Sequence, residues 1–167
     1  MASTCLSFCS QKKVKQPLEP PTTEVTGVSE NAADVATLPA FSMQDVNGNK
    51  VSLQSIQGKK VFVNLWASWC PPCKREMPSI EKLYKSIDTN KVAFVMLALD
   101  DDFEKAKKFV TSRKLTLPVF YPAENLPGLF NVDGIPVTFI FDERGKLIKQ
   151  VNGSDDYDSD HYRKILK

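Results

Sequence analysis

The stretch that most limits what this chain can fold into is Trp66-Ala67-Ser68-Trp69-Cys70-Pro71-Pro72-Cys73. Ahead of it, residues 60–65 form a short apolar run with two valines, which reads as a buried strand. Behind it, residues 74–84 carry apolar side chains at helical spacing, interrupted by Pro78. Two cysteines therefore stand at a strand-to-helix junction. Free N–H groups and the positive end of a helix dipole meet there, and both favour a thiolate. The donors are few in this case, because Pro71 and Pro72 have no N–H and only the Cys73 amide is left to reach Cys70.

Length and composition set the outer bounds. The 167 residues suffice for one domain with a substantial core and a tail, and a hydrophobic fraction of 42% fits a globular protein. Lysines and arginines number 22 against 20 acids, interspersed to a net charge of +2, which argues against a nucleic-acid surface with its clustered bases. No apolar run reaches membrane-spanning length. A single histidine, His161, offers little material for a metal centre, and neither a metal nor a cofactor is expected.

The first ten residues lack the apolar region of a secretory signal, although Leu6-Ser7-Phe8-Cys9-Ser10 has the outline of a lipoprotein site with Cys9 as the lipid-bearing residue. An arbitrary chain end fits that stretch equally well. Residues 11–37, rich in Pro, Thr, Glu and Ser without periodicity, read as a tether, so that residues 1–37 form a tail and 38–167 the folded domain. The domain is expected to open with a hairpin, residues 39–46 pairing with 50–53 across a type I′ turn at Asn47-Gly48. The apolar run 92–99 predicts a central parallel strand. Asp100-Asp101-Asp102 reads as a cap for a helix over 103–110 in preference to a metal site. Residues 117–121 and 139–142 read as strands, 147–151 as a charged edge strand, and 157–166 as a closing helix with His161 on its surface.

The motif, its flanking strand and helix, and the segment Gly134-Ile135-Pro136-Val137-Thr138 together resemble the thioredoxin superfamily. The Pro-Pro pair and the long N-terminal extension are closest to the TlpA/ResA-like, membrane-tethered members. The resemblance implies an α/β, thioredoxin-like fold: a mixed β-sheet flanked by helices on both faces, with an N-terminal β-hairpin extension. It implies that Pro136 is the cis-proline facing the active-site disulfide and that Ile135 offers backbone groups to an incoming peptide, with Trp69 and Pro71 on the substrate side. An ordinary trans proline opening a strand is the plain alternative. Disulfide-containing proteins are the implied substrates and a membrane thiol carrier the implied electron donor. The implied setting is extracytoplasmic, in cytochrome c maturation, for a monomer tethered through its tail.

The chemistry expected of these residues follows. Cys70 attacks a substrate disulfide, and Cys73, one turn inside the helix and more buried, resolves the mixed disulfide. Sparse donors at Cys70 favour the disulfide form and make the dithiol a good reductant. Cytosolic thioredoxins carry a buried aspartate six residues before the first cysteine, whereas this chain has Asn64, which cannot titrate. Glu76, three residues after Cys73, is the candidate to handle the proton, the alternative being a solvated helix glutamate. Three further readings stay open: an oxidase or isomerase on the same fold, a static crosslink in a binding module, and a zinc site joining the pair to Cys5 and Cys9.

Overall fold

A computed structural model describes residues 36–167. Cys5, Cys9 and the tail expected over residues 1–35 lie outside the described part. Seven strands form one sheet: β1 (Ser42–Asp45), β2 (Lys50–Ser52), β3 (Lys60–Trp66), β4 (Val92–Ala98), β5 (Val119–Pro122), β6 (Val137–Phe141) and β7 (Leu147–Asn152). Their spatial order is β2-β1-β5-β4-β3-β6-β7. The pairs β3–β4 and β4–β5 are parallel and all others antiparallel. Three α-helices complete the described residues: α1 (Pro71–Ser86), α2 (Phe103–Ser112) and α3 (Asp160–Leu166).

The central strands are apolar on both sides, as expected for strands covered twice. Phe62 and Trp66 of β3, Phe94 and Met96 of β4, and Ile140 of β6 pack with side chains of α1, α2 and α3. Val61, Val63 and Leu65, with Phe139 and Phe141, point the other way. Helical cover thus lies on both faces, but unequally. All three α-helices share one face; α1 and α2 do so because β3, β4 and β5 advance in one direction and successive parallel crossovers keep the same hand. The opposite face is closed by two 3₁₀ turns, Leu53–Ile56 and Gly128–Phe130, together with Phe41 and Leu126.

Three local expectations are revised. The hairpin forms, pairing Met43 with Val51, but its loop is not the two-residue I′ form. Gly48 N–H donates to the Asp45 carbonyl and Gly48 alone takes a positive φ of 89°, with Asn47 in ordinary space. A type I turn closed by a left-handed glycine has this geometry. Asp45 selects it by accepting from the backbone of both Asn47 and Asn49. The closing helix starts at Asp160 rather than at residue 157. Tyr157 is fully buried ahead of it, its N–H donating to Ser79 Oγ and its hydroxyl paired with Thr138, and both bonds hold that residue out of the helix. Pairing also begins ahead of Leu38, since the Ala36 carbonyl accepts from Leu147 N–H and Thr37 bridges to Lys146.

Phe130 anchors the thinner cover, with ring centroids 6.1 Å from Phe41 and 5.3 Å from Phe139. Phe130→Ala should cost about 3–5 kcal/mol in chemical denaturation, since a short 3₁₀ turn has little means of collapsing into the space left behind. A loss under about 1 kcal/mol would show that the second face is held elsewhere.

Candidate active site

Strand β3 delivers the chain to the motif and α1 carries it away. Between them the loop is fixed from below by Asp100, which is buried and accepts from Ser68 N–H at 3.0 Å and from Ser68 Oγ at 2.5 Å. The Leu99 N–H donates to the Trp66 carbonyl and ties the loop to the end of β4. The acidic triplet is therefore divided among three tasks. Asp100 holds the motif loop, Asp101 pairs with Lys105, and only Asp102 caps α2, accepting from Glu104 N–H.

Cys70 is the N-cap of α1 and Pro71 and Pro72 fill its first two positions. The Cys73 N–H donates to Cys70 Sγ at 3.3 Å. Cys70 and Cys73 form a disulfide, with Cα atoms 5.3 Å apart. Both are almost wholly covered, Cys70 at 2% and Cys73 at 0% exposure, so the expected contrast in burial is small in the disulfide form. Trp69 stands beside them at 62% exposure. The Ile135–Pro136 bond is cis, and the Ile135 carbonyl oxygen lies 3.8 Å from Cys70 Sγ. Cys70, Trp69, Pro71, Ile135 and Pro136 thus converge on one end of the sheet, where β3 ends and β6 begins.

Beneath the cystine lies a buried polar chain. Asn64 of β3 is directly opposite Thr138 of β6, and both point toward α1. The Asn64 amide nitrogen donates to Glu76 Oε1 and to Thr138 Oγ1, both at 2.9 Å. Thr138 Oγ1 is 2.6 Å from the Tyr157 hydroxyl. Glu76 Oε2 accepts from Asp155 N–H at 3.3 Å. Glu76 is 3% exposed, so the solvated-glutamate alternative does not describe it. Burial pushes its carboxyl up to about 7, against the opposing pull of the hydrogen bonds from Asn64 and Asp155. Burial likewise raises the Tyr157 phenol far above its ordinary range, with the Glu76 charge adding to the effect, so Tyr157 stays neutral. Two atoms in this region, Asn64 Oδ1 and Trp66 Nε1, are buried without a partner.

Sequence reasoning picked out both cysteines, Glu76 and Pro136 but missed Asp100, Thr138 and Tyr157 as parts of the site. Thr138 carried a usable signal, since it shares a strand face with Pro136, two residues away. Tyr157 carried none, because its bond to Thr138 spans 19 positions.

A cystine at the N-cap of a helix, facing a cis-proline across the end of a mixed sheet, defines a thiol-disulfide oxidoreductase of thioredoxin-like fold. The Redoxin family profile matches residues 33–166, and the chain belongs to that family as a TlpA/ResA-like member of the thioredoxin superfamily. It is 34% identical to the thiol-disulfide oxidoreductase ResA of Bacillus thuringiensis over 69% of this chain and 67% of that protein. Among solved structures, a thiol:disulfide interchange protein from Chlorobium tepidum superposes with a TM-score of 0.69 at 28% identity, over 80% of this chain and 97% of the other. StoA of Bacillus subtilis does so with a TM-score of 0.66 at 25% identity, over 79% and 99%.

The raised Glu76 carboxyl has a thermodynamic consequence. The unfolded chain ionises near 4.5 and the folded protein near 7, so between those values the folded state keeps a proton that the unfolded state releases. The contribution of Glu76 to stability should be highest below pH 4.5, fall as pH rises through 7, and level off beyond, a total of about 3 kcal/mol. Glu76→Gln removes that fall and should gain on the parent protein as pH rises from 4.5 to 8. Urea unfolding of the oxidised proteins across this range checks it, and parallel curves would refute it.

Proposed function

We propose that this enzyme is a reductase of protein disulfides, working outside the cytoplasm in the manner of cytochrome c maturation. In this reading the stretch ahead of Ala36 tethers the domain to a membrane, and the domain acts as a monomer. The observation that carries the direction of reaction is the helix cap, where the Cys73 amide is the backbone donor to Cys70 Sγ and two prolines occupy the positions that would supply others. A thiolate with so few donors is a poor resting state, so electrons leave the dithiol readily.

The cycle balances in two exchanges. The Cys70 thiolate attacks one sulfur of a partner disulfide, forming a mixed disulfide and expelling the partner's first thiolate. The Cys73 sulfur then attacks Cys70, closing the internal disulfide and releasing the second thiol. Two electrons pass to the partner, and a membrane dithiol carrier restores them by the reverse exchange. Glu76, one turn beyond Cys73 and poised near neutrality, takes the Cys73 proton as that sulfur attacks and returns it on reduction. Asn64 holds the carboxylate in place without competing for the proton. Trp69 and Pro71 on one side, and Ile135 and Pro136 on the other, flank the partner chain.

The deciding measurement is the reduction potential. A value near about −270 mV is expected, whereas one near about −120 mV would make the protein an oxidant and a pair inert to exchange would make it a static crosslink. Alongside it, Cys73→Ser should accumulate mixed disulfides on Cys70, because the resolving sulfur is gone. Equal trapping by Cys70→Ser would reverse the two roles.

A further inference from the structure

We infer that the groove between α1 and α2 receives an acidic flank of the partner's reactive segment, on one side of its cysteine. This rests on the reductase reading and extends it to the kind of partner. The groove has a volume of about 640 Å³ and begins at Pro71, the residue after Cys70. Its apolar lining includes Met77, Pro78, Phe109 and Leu115. Its walls carry five bases, Lys74, Arg75, Lys85, Arg113 and Lys114, against one acid, Glu81.

That acid is already engaged. Glu81 accepts from Lys85 Nζ at 2.8 Å and from both the N–H and the hydroxyl of Thr116. Lys74, Arg75, Arg113 and Lys114 form no ion pair among the described residues, and the Arg113 guanidinium lies over the Phe109 ring, 5.8 Å from its centroid. In a chain whose charges nearly cancel, 22 bases against 20 acids, this is a local excess of positive charge beside the reactive sulfur. The second cavity at the site, on the far side of Cys70, has the opposite character. It is lined by Ile135, Pro136, Gln150 and Asn152, and its charged residue is Asp133.

A polypeptide lying across Cys70 therefore meets bases in one direction and a carboxylate in the other, which fixes the sense in which it binds. From Pro71 to Lys85 the helix rises about 21 Å, the reach of about six extended residues. The matching partner has two or three Asp or Glu and an apolar anchor within about six residues on one side of its cysteine.

Two short peptides test this, each with one cysteine held as a mixed disulfide with 2-mercaptoethanol and flanked by Leu and either Glu or Lys. Their serine counterparts serve for calorimetry on the oxidised protein, and hydroxyethyl disulfide is the neutral reference substrate. At low salt the reduced enzyme should turn over the Glu peptide with about tenfold higher kcat/KM than the Lys peptide, and the gap should narrow as salt is added. Arg113→Glu with Lys114→Glu should abolish or invert the preference while hydroxyethyl disulfide is reduced at the parent rate. The neutral pair Arg113→Gln with Lys114→Asn should fall between. Equal rates on the two peptides, or a preference untouched by both variants, would overturn the groove while leaving the reductase reading intact. Failure to reduce hydroxyethyl disulfide would instead sink the reductase reading, and the serine peptides would still decide the groove: tighter binding of the Glu peptide keeps it, equal or absent binding removes it.

Discussion

The side-chain amide of Asn64 joins the reactive helix to the sheet. Its nitrogen spends one hydrogen on Glu76 of α1 and the other on Thr138 of β6, two elements 12 and 74 positions away along the chain. Buried polar groups of this kind are costly unless satisfied, and strongest where satisfied, because the local dielectric is low. Through Thr138 the connection continues to Tyr157, and through Glu76 to the backbone of Asp155. Removing Asn64 would leave a carboxyl, a hydroxyl and a phenol to find new arrangements within a packed interior.

Much of this architecture was legible in the sequence because its signals are local. An apolar run beside a cysteine pair, an Asn-Gly turn and a proline opening a strand each declare themselves within a few residues. The apolar run of residues 60–65 also announced a buried strand, and the structure adds that one face of the sheet is covered by 3₁₀ turns too short to carry a periodicity. The supporting residues of the site were hidden for a different reason. Asp100, Thr138 and Tyr157 owe their roles to partners 32, 74 and 19 positions away, and apart from the strand face that Thr138 shares with Pro136, nothing in their own neighbourhoods distinguishes them from a helix cap, a strand threonine and a helix aromatic.

Asp100-Asp101-Asp102 shows how narrow that limit is. Three identical side chains in a row serve a loop, a surface ion pair and a helix cap, since each successive residue points in a new direction as the strand gives way to the helix. Glu76 was identified in part on its helical spacing from Cys73, but spacing does not report burial. Its raised pKa comes from burial, and the hydrogen bonds from Asn64 and from the Asp155 backbone, about eighty residues downstream, pull the other way.

The cystine and the Ile135 carbonyl sit on connections leading out of β3 and into β6, and these strands are direct neighbours, with Leu65 paired to Val137 and Asn64 to Thr138. The two jaws of the site are therefore graduated on one ruler. A slip of one residue in that pairing would move the carbonyl by about 3.3 Å along the strand and turn Thr138 away from Asn64. The gap between sulfur and carbonyl is accordingly a dimension of the sheet itself, as stiff as the ladder of hydrogen bonds beneath it. A site built this way is a fixed gauge at the sulfur, its opening set by strand register.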